Sequence, residues 1–264
     1  MKNLPKMISY SRQLLLSMVQ KISVKFRCDI GNAPFSVTGT GFWLVSKKGG
    51  LFFVTNRHNI DPTMCNRSSS YSIYSITILL RAFSLVDNKP CGNVKELEHD
   101  ANEVTIYYPE NTADVVLLSM AELQVPSDQN YQLTGIHESS MSNYSRKPEL
   151  FDQLFFVGFP GKNRINAAYD MPIVRSCSIA SFPEIDYSDE DKTIGRAKTC
   201  LVDGLSFGGS SGSPVIREAN GVLELFGIMS GHFLENKTWC DSHSGLSYFT
   251  TVEAILNIVK ENGL

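Results

Sequence analysis

The 264-residue sequence lacks both an excess of one charge and a long apolar run. Its 24 basic and 27 acidic residues give a net charge of −3. Such a balance provides no electrostatic footprint for nucleic acid or for an anionic membrane. The short apolar run 14–16 is too brief for a secretory signal, and no other run reaches the length of a membrane span. We therefore expect a cytoplasmic protein that binds neither nucleic acid nor membranes.

The sequence also lacks metal-site spacing among its cysteines. It contains no CxxC motif and no Cys/His pair at a zinc-ligand spacing. We therefore expect no metal and no cofactor. In a reducing compartment the cysteines are expected to be free and mostly buried thiols. They are Cys28, Cys65, Cys91, Cys177, Cys200 and Cys240.

Two helical patterns flank a long region rich in strand signals. Apolar residues recur at three- and four-residue steps from Met7 to Ile22, which predicts an amphipathic helix. This helix either packs on the main domain or binds a partner or a second copy of the chain. The stretch Val252 to Val259 predicts a closing helix. Short β-branched and aromatic runs between them, such as "FSVTGTGFWLVS" and "LFFVT", predict an all-β fold built from antiparallel barrels or a sandwich.

A glycine- and serine-rich stretch, "FGGSSGSPVI" at 207–216, offers two candidate nucleophiles. In one register Ser210 occupies the GxSxG elbow of α/β-hydrolases, which must be followed by a helix. The residues Pro214 to Ile216 predict a strand there instead. In the other register Ser211 resembles the serine of the GxSGxP motif of chymotrypsin-like proteases. The glycines would let this loop turn its N–H groups toward a developing oxyanion.

Two motifs upstream resemble the base and the acid of the same proteases. His58 ends the stretch "LFFVTNRH", which resembles the TNxH motif, and "GTGF" precedes it as in that class. Asp114 opens "DVVLL", which resembles the strand that carries the triad acid. Asp61 is expected to cap the turn behind His58. By contrast, His99 and the histidine at 137 lie in polar stretches and are expected at the surface.

The chain order His58, Asp114, Ser211 matches the chymotrypsin order. Together with "LFFVGFPG" and "FGIMSG", these motifs identify the sequence as a member of the chymotrypsin/trypsin-like serine protease superfamily. It most resembles bacterial HtrA/Deg-type peptidase domains, without a PDZ domain. The resemblance implies two six-stranded antiparallel barrels. The expected boundaries are an N-terminal arm at 1–21, a first barrel at 22–125, a connection at 126–148, a second barrel at 149–251 and a C-terminal helix at 252–264.

The resemblance also implies the roles of individual residues. Ser211 would attack a peptide carbonyl with His58 as base and Asp114 holding the ring, and the N–H groups of Gly209 and Ser211 would form the oxyanion hole. The partner would be a protein or peptide substrate. The residues implied for substrate binding are Leu205, Ser206, Ser230, Gly231, His232 and Gly245.

The sequence departs from secreted trypsins at several informative places. Ser210 replaces the aspartate that pairs with a freshly cut N-terminus, so activation by propeptide cleavage is not expected. Asn59 and Phe207 occupy the places nearest to conserved disulfide cysteines. We expect a pocket for a small or apolar side chain before the scissile bond. A preference for acidic residues through His232 is the alternative.

Two other functions compete with the endopeptidase. The first is a catalytically silent, protease-like module that only holds a peptide in its cleft. The second is an esterase that uses Ser210 with His232 or His243 and an acid such as Asp241. A complete triad favours the endopeptidase over both.

Overall fold

The computed structural model describes residues 12–28, 33–65, 70–83, 90–120, 133–142, 147–161, 171–185, 198–219, 221–237 and 240–264. Three helices lie in these segments: α1 (Arg12–Met18), α2 (Ser139–Ser142) and α3 (Val252–Glu261). None of the helices in these segments has the length and apolar character that crossing a bilayer requires. Apart from short 3-10 turns, the remaining regular structure of these segments consists of strands in two sheets.

The first sheet is an open half-barrel. Along it the strands are ordered β5-β4-β1-β2-β3-β7-β6, and β8 adds to β2 in parallel. Their bounds are β1 (Val19–Cys28), β2 (Phe35–Val45), β3 (Leu51–Thr55), β4 (Tyr71–Phe83), β5 (Pro90–Asp100), β6 (Val104–Tyr107), β7 (Val116–Met120) and β8 (Ile136–His137). This sheet therefore has eight described strands, where the sequence predicted six.

The second sheet is a closed barrel of six antiparallel strands, as predicted. Around the barrel the order is β10-β11-β14-β13-β12-β9. The strands are β9 (Gln153–Gly158), β10 (Ile173–Ile179), β11 (Thr199–Asp203), β12 (Pro214–Ala219), β13 (Val222–Lys237) and β14 (Cys240–Thr251). Buried Phe156, Val202 and Phe249 belong to its core. The all-β, chymotrypsin-like fold class is confirmed.

The N-terminal helix is shorter than predicted. It ends at Met18, and the chain continues directly into β1, where Val19 pairs with Phe42. Val19 and Ile22 are β-branched residues that fit a half-buried pleated surface, so the sheet and not the helix takes them. Leu15 and Met18 are buried in a core that also contains residues of α3. The described part of the helix thus packs on the main domain, and residues 1–11 of the predicted arm lie outside the described residues.

Two regions of the first half differ from the expectation. β5 gave no strand signal because Lys95, Glu96 and Glu98 are charged, yet it pairs with β4 along its length. Its alternation buries Leu97 and His99, so the expectation that His99 is a surface residue is wrong. The predicted connection 126–148 lies partly outside the described residues, and its described part contains β8 and α2.

Candidate active site

Two neighbouring strands of the first sheet place His58 beside Asp114. β3 and β7 pair antiparallel, with Thr55 opposite Val116. The chain leaves β3 in a 3-10 turn, Arg57–Asn59, that carries His58, and Asp114 lies just before β7 begins. Because antiparallel strands bring the end of one to the start of the other, both side chains reach the same edge of the sheet.

Asp114 holds His58 through two hydrogen bonds. Its Oδ2 lies 2.7 Å from Nδ1 of the imidazole, and its Oδ1 accepts the backbone N–H of His58 at 2.9 Å. The carboxylate is buried, with 8% of its side chain exposed, whereas the imidazole is 21% exposed. A buried acceptor at Nδ1 fixes the tautomer in which Nε2 accepts a proton. This arrangement is suited to a general base.

Asn56 connects this pair to the second barrel. Its Nδ2 donates to the backbone carbonyl of Asp114 at 2.6 Å and to Oγ of Ser230 at 3.0 Å. The Ser230 hydroxyl in turn donates to the carbonyl of Ile228 and lies 2.8 Å from Oγ1 of Thr250. Ser230 is therefore buried near the predicted triad acid, and Asn56 ties it to the His58 segment.

The candidate nucleophile Ser211 lies in the tight loop between β11 and β12. Gly209 and Gly212 both have φ of +94°, a conformation that glycine adopts far more readily than other residues. A Cβ on Gly209 would collide with the carbonyl oxygen of Phe159, and one on Gly212 with the carbonyl oxygen of Thr40. Both glycines are thus required by backbone conformation and by close packing.

The loop leaves the two predicted oxyanion-hole donors available. The N–H groups of Ser210, Gly212 and Ser213 donate to backbone carbonyls within or beside the loop. Among the described residues, no hydrogen bond engages the N–H of Gly209 or of Ser211. Unengaged, fixed N–H groups beside a serine are what an oxyanion hole requires.

The loop also abuts the segment that carries His58. The carbonyl of Ser211 accepts the N–H of Thr40 at 2.8 Å and Nδ2 of Asn59 at 3.4 Å. Asn59 follows His58 directly in the chain, so the structure gathers the predicted base, acid and nucleophile segments in one region. A Cβ on Gly39 would collide with the side chain of Asn59, so the glycine at this position leaves room for Asn59.

The predicted substrate-binding residues form one cluster on the second barrel. Ser206 is buried, and its Oγ donates to the carbonyl of Gly231 at 3.2 Å. Oγ of Ser247 lies 3.0 Å from Oγ of Ser206 and donates to the carbonyl of Gly204 at 2.7 Å. Leu205 is partly exposed beside them.

Two histidines stack along one side of this cluster. The rings of His232 and His243 lie 4.7 Å apart and nearly parallel. Gly245, with φ of +92°, donates its N–H to Nδ1 of His243 at 2.8 Å. Burial, with a contribution from His243, lowers the pKa of His232 below its ordinary value. Burial also lowers the pKa of His243, and Arg175 adds to that effect. Both rings are therefore biased toward the neutral form.

The alternative nucleophiles find less support in the geometry. Ser210 is 1% exposed, and its Oγ accepts the N–H of Phe207 at 3.4 Å. The loop is followed by strand β12 and not by the helix that a hydrolase elbow needs. Cys177 and Cys200 are buried thiols, as expected, and burial raises their pKa values to about 12 and about 11. Neither thiol is activated.

Three residues of the site have no role that the sequence motifs predict. Asn56 belongs to the "TNRH" motif, Thr40 belongs to "GTGF", and Asn59 directly follows His58. Each is buried and hydrogen-bonded across the interface between the sheets. The signal that could have found them is a polar residue in or next to a strand motif. If such a residue is buried, its polar atoms nearly always have hydrogen-bond partners.

A barrel and a half-barrel that bring a histidine, an aspartate and a serine loop together define the chymotrypsin-like class of fold. The family model of the trypsin-like peptidase domain matches residues 39–228. The chain therefore belongs to the trypsin-like peptidase domain family. No curated protein matches the chain.

One solved structure shares the fold at low sequence identity, and a second is only similar to the chain. The match to the crystal structure of the Rv3671c protease from M. tuberculosis in its active form covers 100% of this chain and 92% of that chain. The sequence identity is 14% and the TM-score is 0.51. The match to the crystal structure of the inactive form of the Rv3671c protease covers 92% of this chain and 89% of that chain, with 15% identity and a TM-score of 0.48.

Proposed function

We propose that the protein is a serine endopeptidase that cleaves peptide bonds through His58, Asp114 and Ser211. The observation that carries the proposal is the doubly hydrogen-bonded His58–Asp114 pair, with its 2.7 Å contact at Nδ1. The position of the Ser211 loop adds support to the proposal, because the carbonyl of Ser211 accepts a hydrogen bond from Asn59, the residue after His58. Membership of a peptidase family supports the same chemistry.

In this mechanism Ser211 Oγ bonds to the scissile carbonyl carbon while His58 Nε2 takes the hydroxyl proton. The carbonyl oxygen becomes an oxyanion that accepts the N–H groups of Gly209 and Ser211. His58 then gives the proton to the departing amine as the C–N bond breaks, which leaves an acyl-enzyme. Water, deprotonated by the same imidazole, hydrolyses the ester and restores Ser211. Asp114 stabilises the imidazolium throughout and keeps its ring in place.

The substrate is proposed to be an extended peptide that adds to the exposed edge of the cleft beside Ser230 to His232. We infer a preference for a small or apolar side chain before the scissile bond, because Leu205 and Ser206 form the proposed base of the pocket. Ser206 is uncharged, so this position offers no negative charge to a basic substrate side chain, and its hydroxyl donates to the carbonyl of Gly231. Gly245 is the proposed wall of the same pocket, and its carbonyl accepts the N–H of Gly204 at 2.9 Å.

A fluorophosphonate probe and a peptide library test the proposal. The purified chain should be labelled by the probe and should cleave library peptides. Ser211→Ala should abolish labelling, and both Ser211→Ala and His58→Ala should lower peptide turnover by about 10⁴- to 10⁶-fold, because the triad acts as a unit. Ser210→Ala serves as the matched control and should remain labelled.

Three outcomes would contradict the proposal. Labelling that survives Ser211→Ala and disappears in Ser210→Ala would indicate the esterase. Full turnover in His58→Ala would remove the proposed base. A folded chain that is never labelled and never cleaves, yet binds peptides, would indicate a silent binding module.

A further inference from the structure

Thr40 of β2 makes an unusual set of contacts for one buried residue. Its N–H donates to the carbonyl of Ser211 at 2.8 Å, and its Oγ1 donates to the carbonyl of Gly209 at 2.7 Å. The same Oγ1 accepts the N–H of Phe159 at 3.0 Å. Thr40 is fully buried, so these bonds are shielded from water. A single residue of the first sheet therefore holds two carbonyls of the nucleophile loop on the second barrel.

These two carbonyls bracket the proposed oxyanion hole. In a trans peptide the C=O and N–H point in opposite directions, so anchoring a carbonyl fixes the direction of the N–H in the same unit. The hole donors, the N–H groups of Gly209 and Ser211, belong to the 208–209 and 210–211 peptide units. Thr40 anchors the 209–210 and 211–212 units, which are the next ones along the chain. It therefore fixes the peptide planes that flank Gly209 and Ser211.

The 208–209 peptide unit, which carries the N–H of Gly209, is held by a hydrogen bond from the segment that follows β9. The N–H of Gly161 donates to the carbonyl of Gly208 at 2.8 Å. This bond turns the N–H of Gly209 away from Gly161. Phe159, two residues before Gly161, donates to the Thr40 hydroxyl. The Thr40 hydroxyl thus connects the segment of Phe159 and Gly161, which holds the 208–209 peptide unit, to the carbonyl of Gly209.

A further chain of bonds joins Thr40 to the segment that carries the base. The carbonyl of Thr40 accepts Oγ1 of Thr55 at 2.8 Å, and that hydroxyl accepts Nδ2 of Asn59 at 3.0 Å. Thr55 ends β3, and Asn59 follows His58. The nucleophile loop and the His58 turn are therefore positioned by one hydrogen-bond network that passes through Thr40.

We propose that Thr40 is a positioning residue whose side-chain hydroxyl aligns the oxyanion hole of this enzyme. The proposal rests on the proposed serine endopeptidase function. Without the hydroxyl, the carbonyl of Gly209 and the N–H of Phe159 lose a shared buried partner, so their peptide units reorient to find others. The contacts of Ser206 and Ser230, which are proposed to bind the substrate, do not involve this hydroxyl, so binding of substrate should be little affected.

Thr40→Val removes the hydroxyl and keeps the shape of the side chain. Removing one donor of such a hole costs about 10²- to 10³-fold in kcat, so misaligning the donors should lower kcat by about 10- to 100-fold. KM should change by less than about threefold, because this interaction forms with the transition state. Thr40→Ser restores the hydroxyl and should recover most of kcat.

Thr38→Val provides the matched control, since it makes the same chemical change on the same strand, and among the described residues the side chain of Thr38, unlike that of Thr40, forms no hydrogen bond with the loop. Amide hydrogen exchange provides a readout that does not depend on turnover. In Thr40→Val the bonded N–H groups of Ser210, Gly212 and Ser213 should exchange about tenfold faster or more, while the strands of both sheets keep their protection. In Thr38→Val the loop should exchange as in the parent chain.

The outcomes separate this inference from the proposed function. A parent chain without labelling or turnover would refute the endopeptidase, while loop exchange would still decide the role of Thr40. A Thr40→Val chain whose loop exchange and kcat match those of Thr38→Val would overturn the inference. A rise in exchange spread evenly over the whole barrel, or a Thr40→Ser chain as impaired as Thr40→Val, would also overturn it, because either result indicates a merely structural role.

Discussion

Asp114→Asn should abolish the proposed peptidase activity while preserving the geometry of the candidate site. The backbone N–H of His58 needs an acceptor at the position of Oδ1, where it now finds one at 2.9 Å. The asparagine oxygen will occupy that position, which turns the amide NH₂ toward Nδ1 of the imidazole. Nδ1 must then accept, so the ring proton moves to Nε2 and the imidazole can no longer take the proton of Ser211. In trypsin-like triads this wrong tautomer costs about 10⁴-fold in kcat, or about 5.5 kcal/mol.

Peptide hydrolysis under saturating substrate measures this effect, and thermal unfolding verifies that the variant is folded. Asp61→Asn is the matched control because it removes the same charge three residues after His58. Asp61 pairs with Arg57 and accepts the N–H of Thr63, so its loss should change kcat by less than about threefold. An Asp114→Asn chain that retains more than about a tenth of the parent kcat would refute the tautomer argument.

Two further predictions concern the loop and the pocket. Gly209→Ala should lower kcat by about 10²-fold or more in the peptide assay, since its Cβ collides with a backbone carbonyl. Gly208→Ala, which has open space around it, should lose far less, and equal losses would contradict the packing argument. The lowered pKa of His232 means that the folded state binds fewer protons than the unfolded state. Stability should therefore fall as pH drops through about 6.5, and thermal scans should show a smaller fall in His232→Gln.

The strand signals predicted most of the second barrel because its strands follow the simple rule of alternating burial. β9, with its buried Leu154 and Phe156, is an example. The rule misses β5, whose charged residues face outward at the edge of the first sheet beside Lys25. A strand of this kind is recognised only through its partner β4, because the pairing supplies the backbone hydrogen bonds. The end of α1 differs from the prediction for a related reason, since pairing with β2 places Val19 in a strand.

The candidate triad could be predicted because each member lies in a short local motif. His58, Asp114 and Ser211 are the candidate catalytic residues, and their neighbours in sequence carry the turn and strand signals. Asn56 and Thr40 could not be assigned in this way. Each acts on a residue more than a hundred positions away, and neither shows its partner within a local window.

The sequence alone determined the all-β class, the order of the candidate catalytic residues and the glycines of the nucleophile loop. These properties depend on side-chain periodicity and on backbone conformations that neighbouring residues impose. Only the tertiary structure decided that the Ser211 loop is hydrogen-bonded to Thr40 and that Ser230 contacts Asn56. These contacts cross between the two sheets, and hydrogen bonds between segments distant in sequence form only when the packed cores bring their atoms within about 3 Å.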